Sequence, residues 1–208
     1  MLLNKNYNKN ESKIHYELKQ IAKYVLYQKG YTCIATEVSM TRYNRYLDSY
    51  PWFNKNAVSK IIIDAVGIRG NLINTRHMDL ENYKSMGIES KASYSDFING
   101  FCTQCEYTYV IAPVGIIPID KIPDKIGLIE VDLDNYRIEW GRDGFVFEGI
   151  YFTKRCASRK KELWQRKDIF TADMHNLMRR IAYRSTVNDV FNNNEIVVKG
   201  CKRSEKET

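Results

Sequence analysis

The sequence predicts an α/β fold, with a mixed central β-sheet flanked by helices. Three observations carry that reading. An apolar stripe at helical spacing comes first, several β-branched runs bounded by Gly, Pro or polar clusters follow, and short helical signals separate some of those runs. The chain has 208 residues, 44% hydrophobic and 27% charged, which is enough apolar material for one domain and excludes wholesale disorder. The longest uncharged run, Tyr107 to Ile119, is too short to span a bilayer and holds two prolines. The opening MLLNKNYNKNE lacks an apolar signal core, and five cysteines are an odd number, so reduced thiols and a cytoplasmic location are expected.

Residues 1–11 and 186–208, rich in Asn, Lys and Glu, are expected to be flexible ends around a single domain over 12–185. Ile14, Leu18, Ile21, Ala22, Val25 and Leu26 share one helical face, with Ser12 as N-cap and Gly30 as stop. Tyr31 to Val38 is a strand. Ser39 to Ser59 is polar and aromatic, an inserted loop or short helix; its Arg42–Phe53 stretch could cap the core or contact nucleic acid. Lys60 to Ile68 is a second strand and Ile88 to Ala92 a third, with residues 67–86 between them forming a hairpin extension or loop. Ser95 to Gln104 suits a short helix. Tyr107 to Ala112 is a strand buried on both faces, Ile119 to Lys125 holds a helical turn, and Gly127 to Leu133 is a further strand. A small strand pair through Glu148 follows, and Ala157 to Arg184 is mostly helical.

Chemistry concentrates at Asp64 and at Glu89-Ser90-Lys91. Strand side chains alternate faces, so Glu89 and Lys91 share one, and pairing of the two strands would set Asp64 beside Glu89. Two carboxylates and an ammonium on the buried half of a sheet are costly unless something uses them. A divalent cation offsets that cost: Mg²⁺ favours carboxylate oxygens and keeps several waters, one of which can attack phosphorus. The competing reading of D…E-x-K is an ordinary salt bridge. The flanking apolar strand and the Ser-rich helix start favour the metal.

Taken together, IIID(64)AVG, GIES(90)K(91)AS, SDF, INGFCTQCEYTYVIAP and IPDKIGLIEVD resemble the PD-(D/E)XK, or restriction-endonuclease-like, nuclease superfamily over about residues 12–135. The likeness is to small DNA-repair and phage or mobile-element members, with Ile63 where many have Pro. It implies an αβββαβ core with a basic C-terminal helical region at 154–185. It also implies a Mg²⁺-dependent deoxyribonuclease, with Mn²⁺ able to substitute. Asp64 and Glu89 would hold the metal, and Lys91 would orient water or stabilise charge. A further Glu would come from Glu37, favoured, or Glu17. Gln104 would be an accessory group, or simply a polar helix end. The implied partner is DNA, with no membrane and with a homodimer left open. The alternative is a nuclease-fold DNA-binding subunit that does not cut.

Charge supports a polyanion partner. Residues 154–184 hold ten Lys/Arg against three Asp/Glu, which equals the whole net charge of +7. Lys154, Arg155, Arg159, Lys160, Lys161 and Arg166 are therefore the expected phosphate contacts, unless the segment is merely a solvated helix face. Glu130 and Asp132 share a strand face, and the resemblance places that strand beyond the site, so structural or exposed roles are expected of them. Cys102 and Cys105 have C-x2-C spacing without a second pair, which suits buried thiols better than zinc. His15, His77 and His175 form no metalloprotease pattern, and hydrolase and P-loop signatures are absent.

Overall fold

A computed structural model of the chain describes residues 12–31, 33–41, 60–69, 84–101 and 105–159. Helix α1 (Lys13–Gln28) starts where Ser12 Oγ accepts the His15 backbone N–H at 3.1 Å. It ends in a Schellman arrangement. Gly30, at φ +80°, donates to Tyr27 O and Tyr31 donates to Leu26 O, satisfying the last carbonyls. Leu18, Ile21, Ala22, Val25 and Leu26 are buried, as their spacing requires. Ile14, in the first turn, remains 39% exposed, and Lys19 is buried instead.

The main sheet has six strands, in the spatial order β1 (Cys33–Thr41), β2 (Lys60–Arg69), β3 (Lys84–Ser90), β4 (Tyr107–Pro113), β5 (Ile126–Val131) and β8 (Ile150–Lys154). β1, β2 and β3 form an antiparallel meander. The short helix α2 (Tyr94–Ile98) carries the chain to β4, which runs parallel to β3. β5 is parallel to β4, and a 3-10 turn at Ile119–Lys121 precedes it. β6 (Arg137–Gly141) and β7 (Gly144–Glu148) make a separate hairpin, and β8 closes the sheet antiparallel to β5.

Each sheet face buries its own cluster. α1 packs with Tyr31, Ala65, Ile88, Tyr109, Ile111 and Ile129 on one side. Phe97 and Phe101 pack with Val110, Ile122, Ile126 and Leu128 on the other. No helix among the described residues is long and apolar enough to cross a membrane.

Several boundaries differ from the sequence reading, each for a local reason. The first strand starts at Cys33 because Tyr31 completes the helix cap. β3 starts at Lys84, where Arg69 pairs with it, and ends at Ser90; Lys91 lies just past the ladder, although its N–H still reaches Ile111 O at 2.9 Å. The chain then leaves the sheet because Asp96 Oδ2 takes the Ala92 N–H and Ser93 caps α2. That helix stops at Ile98, well short of Gln104, and Gly100 beyond it sits at φ +101°. The sequence does not announce β8: Tyr151, Phe152 and Thr153 are all exposed, so the segment shows no alternation. Its presence carries the sheet past residue 135. Residues 157–159 are not helical, and the remainder of the expected basic helix lies outside the described residues. So do residues 42–59, residues 70–83 of the expected 67–86 extension, whose two ends instead belong to β2 and β3, and the two expected flexible ends.

Candidate active site

The strand register creates a row of three acids. Thr36 pairs with Ala65 and Val38 with Ile63, so Glu37 stands opposite Asp64. Ala65 pairs with Ile88, so the next step puts Asp64 beside Glu89. Glu37, Asp64 and Glu89 thus occupy consecutive positions across β1, β2 and β3. The expected adjacency of Asp64 and Glu89 is therefore present.

Asp64 is nearly buried, and its Oδ2 receives two groups. The Ser90 backbone N–H donates to it at 2.8 Å, and His15 Nε2 lies 3.1 Å away. Glu89 is only 4% exposed, and its Oε1 has no hydrogen-bond partner among the described residues. Burial drives the Glu89 pKa well above the usual carboxylate range, and the Asp64 charge adds to the rise. Lys91 opposes it, Asp96 reinforces it, and a hydrogen bond from the Asp64 backbone opposes it. Lys91 is itself buried. Its ammonium donates to Gly100 O at 2.8 Å and lies 3.5 Å from Asp96 Oδ1, so the turn after α2 fixes where that charge sits.

The two alternatives for the additional Glu separate. Glu37 lies in the acid row at φ +54°, a left-handed backbone uncommon for Glu, and accepts from the buried Lys19 ammonium at 2.7 Å. Glu17 instead accepts from the Tyr136 hydroxyl at 2.9 Å, against the core formed with β6 and β7. Glu37 is the one that topology groups with Asp64.

Sequence reasoning misses His15 as a site residue, because three scattered histidines match no zinc pattern. The signal present is spacing: His15 and Lys19 are four apart on α1 and reach Asp64 and Glu37 respectively.

The basic candidates fare unevenly. Arg155 is exposed. Lys154 is anchored, its ammonium donating to Ile122 O at 2.6 Å and Pro123 O at 3.2 Å. Arg159 corrects the expectation of a surface phosphate contact. It is 3% exposed, its backbone N–H donates to Glu106 O at 3.0 Å, and its charge lies close enough to Cys105 to influence that thiol. Lys160, Lys161, Arg166 and Gln104 lie outside the described residues. Cys105 is buried and pushed up to about 12, first by desolvation, which makes it an inert thiol. Glu130 has the structural role expected of it, accepting from the Gly115 N–H and the Thr153 hydroxyl.

The residues present suit a hard divalent cation held through few protein ligands. Among the described residues no group of three or more His, Cys, Asp or Glu is arranged to hold a metal. Mg²⁺ does not require one, since it is commonly bound through one or two carboxylates, waters and substrate phosphates. A buried carboxylate oxygen without a donor, beside a second carboxylate, is the local feature such an ion would satisfy. Comparison of the chain with protein-family models, with curated proteins and with solved structures finds no match.

Proposed function

We propose that this protein is a Mg²⁺-dependent nuclease that hydrolyses DNA phosphodiester bonds on a restriction-endonuclease-like core. The observation that carries the reading is the pairing of buried Asp64 with buried Glu89, whose Oε1 lacks a partner among the described residues, with Lys91 held alongside. The element order supports it: a helix, an antiparallel three-strand meander, a helix and a strand parallel to the third reproduce the αβββαβ sequence of elements.

Asp64 and Glu89 would hold the cation, which when bound lowers the pKa of a coordinated water and offsets phosphate charge. Lys91 supplies a fixed positive charge whose position does not depend on solvent, because Gly100 O and Asp96 hold the ammonium. A preorganised cation of this kind stabilises negative charge developing on phosphate oxygens without a reorganisation cost. Glu37 and Lys19 extend the row at its β1 end and keep a third acid within the same band. The exposed Arg155 lies near the start of the basic segment that would follow the DNA backbone.

Incubation with linear, nicked, single-stranded and branched DNA in Mg²⁺, Mn²⁺ or EDTA tests the proposal. Metal-dependent cleavage of at least one substrate is expected. Binding without cleavage under every condition would replace it with the non-cutting DNA-binding subunit, and neither binding nor cleavage would remove both.

A further inference from the structure

His15 is the group on α1 that contacts the acid row at Asp64, and two local interactions place it. Ser12 Oγ holds the His15 backbone N–H, fixing the residue in the first helical turn. The side chain then spans from α1 to β2, 49 residues away in sequence, and sets Nε2 3.1 Å from Asp64 Oδ2. That same oxygen accepts the Ser90 N–H at 2.8 Å. A carboxylate that holds a cation is acceptor-only, so in the metal-ready protein the proton of the second contact resides on Nε2. Two donors from two different elements therefore converge on one oxygen of one carboxylate. Asp64 Oδ1 takes no part in either bond.

We propose that His15 is a positioning residue for metal binding: with the Ser90 N–H it clamps Asp64 Oδ2 and leaves Oδ1 as the oxygen open to the cation. This rests on the two-carboxylate metal site proposed above. The clamp matters because a carboxylate on a strand can rotate about its side-chain torsions, and a cation held through only two protein ligands depends on both being aimed beforehand. The hydrogen bonds also fix which oxygen carries the free lone pairs. Groups that orient a ligating side chain in this way characteristically change metal affinity by about 10–100-fold when removed.

Mn²⁺ binding measured by electron paramagnetic resonance, without DNA, tests the proposal on the full chain and on His15→Ala and His15→Gln. A Gln amide can place its N–H near where Nε2 lies, but it is a poor ligand. The expected result is that His15→Ala weakens Mn²⁺ binding by about 10–100-fold, while His15→Gln retains most of the wild-type affinity. Wild-type affinity in His15→Ala would overturn the proposal. Equal loss in both variants would also overturn it, making the imidazole a ligand itself. A wild-type protein that binds no Mn²⁺ would instead bring down the metal-site reading on which the proposal rests. Thermal unfolding of each variant without metal separates a loss of fold from a loss of affinity.

Discussion

Replacing Glu89 with Gln should stabilise the metal-free protein at neutral pH and abolish its stabilisation by Mg²⁺. The side chain is 4% exposed, and Oε1 has no partner among the described residues. Its folded-state pKa is raised above the unfolded value by burial first and then by Asp64. The folded protein therefore binds the Glu89 proton more readily than the unfolded chain does. Stability must then fall as pH rises from the ordinary carboxylate range, near the reference value of 4.5, through the folded pKa. Gln does not titrate and nearly conserves volume, so the substitution removes the pH-dependent penalty without opening a cavity. Gln keeps a buried polar group at this position and removes only the charge, whose extra burial cost over a neutral group is on the order of 1–3 kcal/mol, and in a domain of this size each kcal/mol moves Tm by about 2–4 °C. The Tm of Glu89→Gln in EDTA should accordingly exceed that of wild type by about 2–12 °C at pH 8 and converge with it towards pH 4. Saturating Mg²⁺ at about 100 times Kd should add about 2.7 kcal/mol to wild type alone. Thermal unfolding followed by circular dichroism from pH 4 to 8 measures all of this. A Glu89→Gln protein less stable than wild type in EDTA, or a difference that does not change with pH, would refute the reasoning.

Four further outcomes are expected. Lys91→Ala should lose about 10²–10³ in cleavage rate with DNA affinity little changed in a filter-binding assay; a loss confined to affinity would make Lys91 a phosphate contact. Substituting Ala at Arg155, Lys160 and Lys161 should flatten the log–log salt dependence of DNA binding by about 0.9 for each phosphate no longer neutralised, whereas Arg159→Ala should lower Tm, because that side chain is buried beside Cys105 and Glu106. Gly127→Ala should destabilise the protein by about 1–3 kcal/mol in denaturant titration, since a Cβ there would run into the Tyr109 ring and lie 3.0 Å from the Cys156 backbone nitrogen.

The meander and the Asp64–Glu89 adjacency are legible in the sequence because they depend on local pattern. Three isoleucines before Asp64 and the short run after Gly87 specify strands, and antiparallel neighbours place the acids together. The His15 contact is not legible, since it depends on how α1 crosses the sheet. Nor is the burial of Arg159: a count of charges records the sign of a segment but not what packs around one of its side chains. β8 escapes because an edge strand with exposed Tyr151, Phe152 and Thr153 carries no alternation. The short α2 reflects the backbone at Gly100, whose φ of +101° breaks the longer helical pattern expected through Gln104.

The most direct measurement compares wild type with Asp64→Ala for metal-dependent DNA cleavage, using the substrate that wild type cuts best and confirming by circular dichroism that both are folded. Asp64 is the carboxylate on which the Ser90 N–H and His15 converge and whose charge faces Glu89. The expected result is cleavage by wild type in Mg²⁺, none in EDTA, and none by the folded variant in either. Full-rate cleavage by Asp64→Ala, or wild-type cleavage that persists in EDTA, would contradict it.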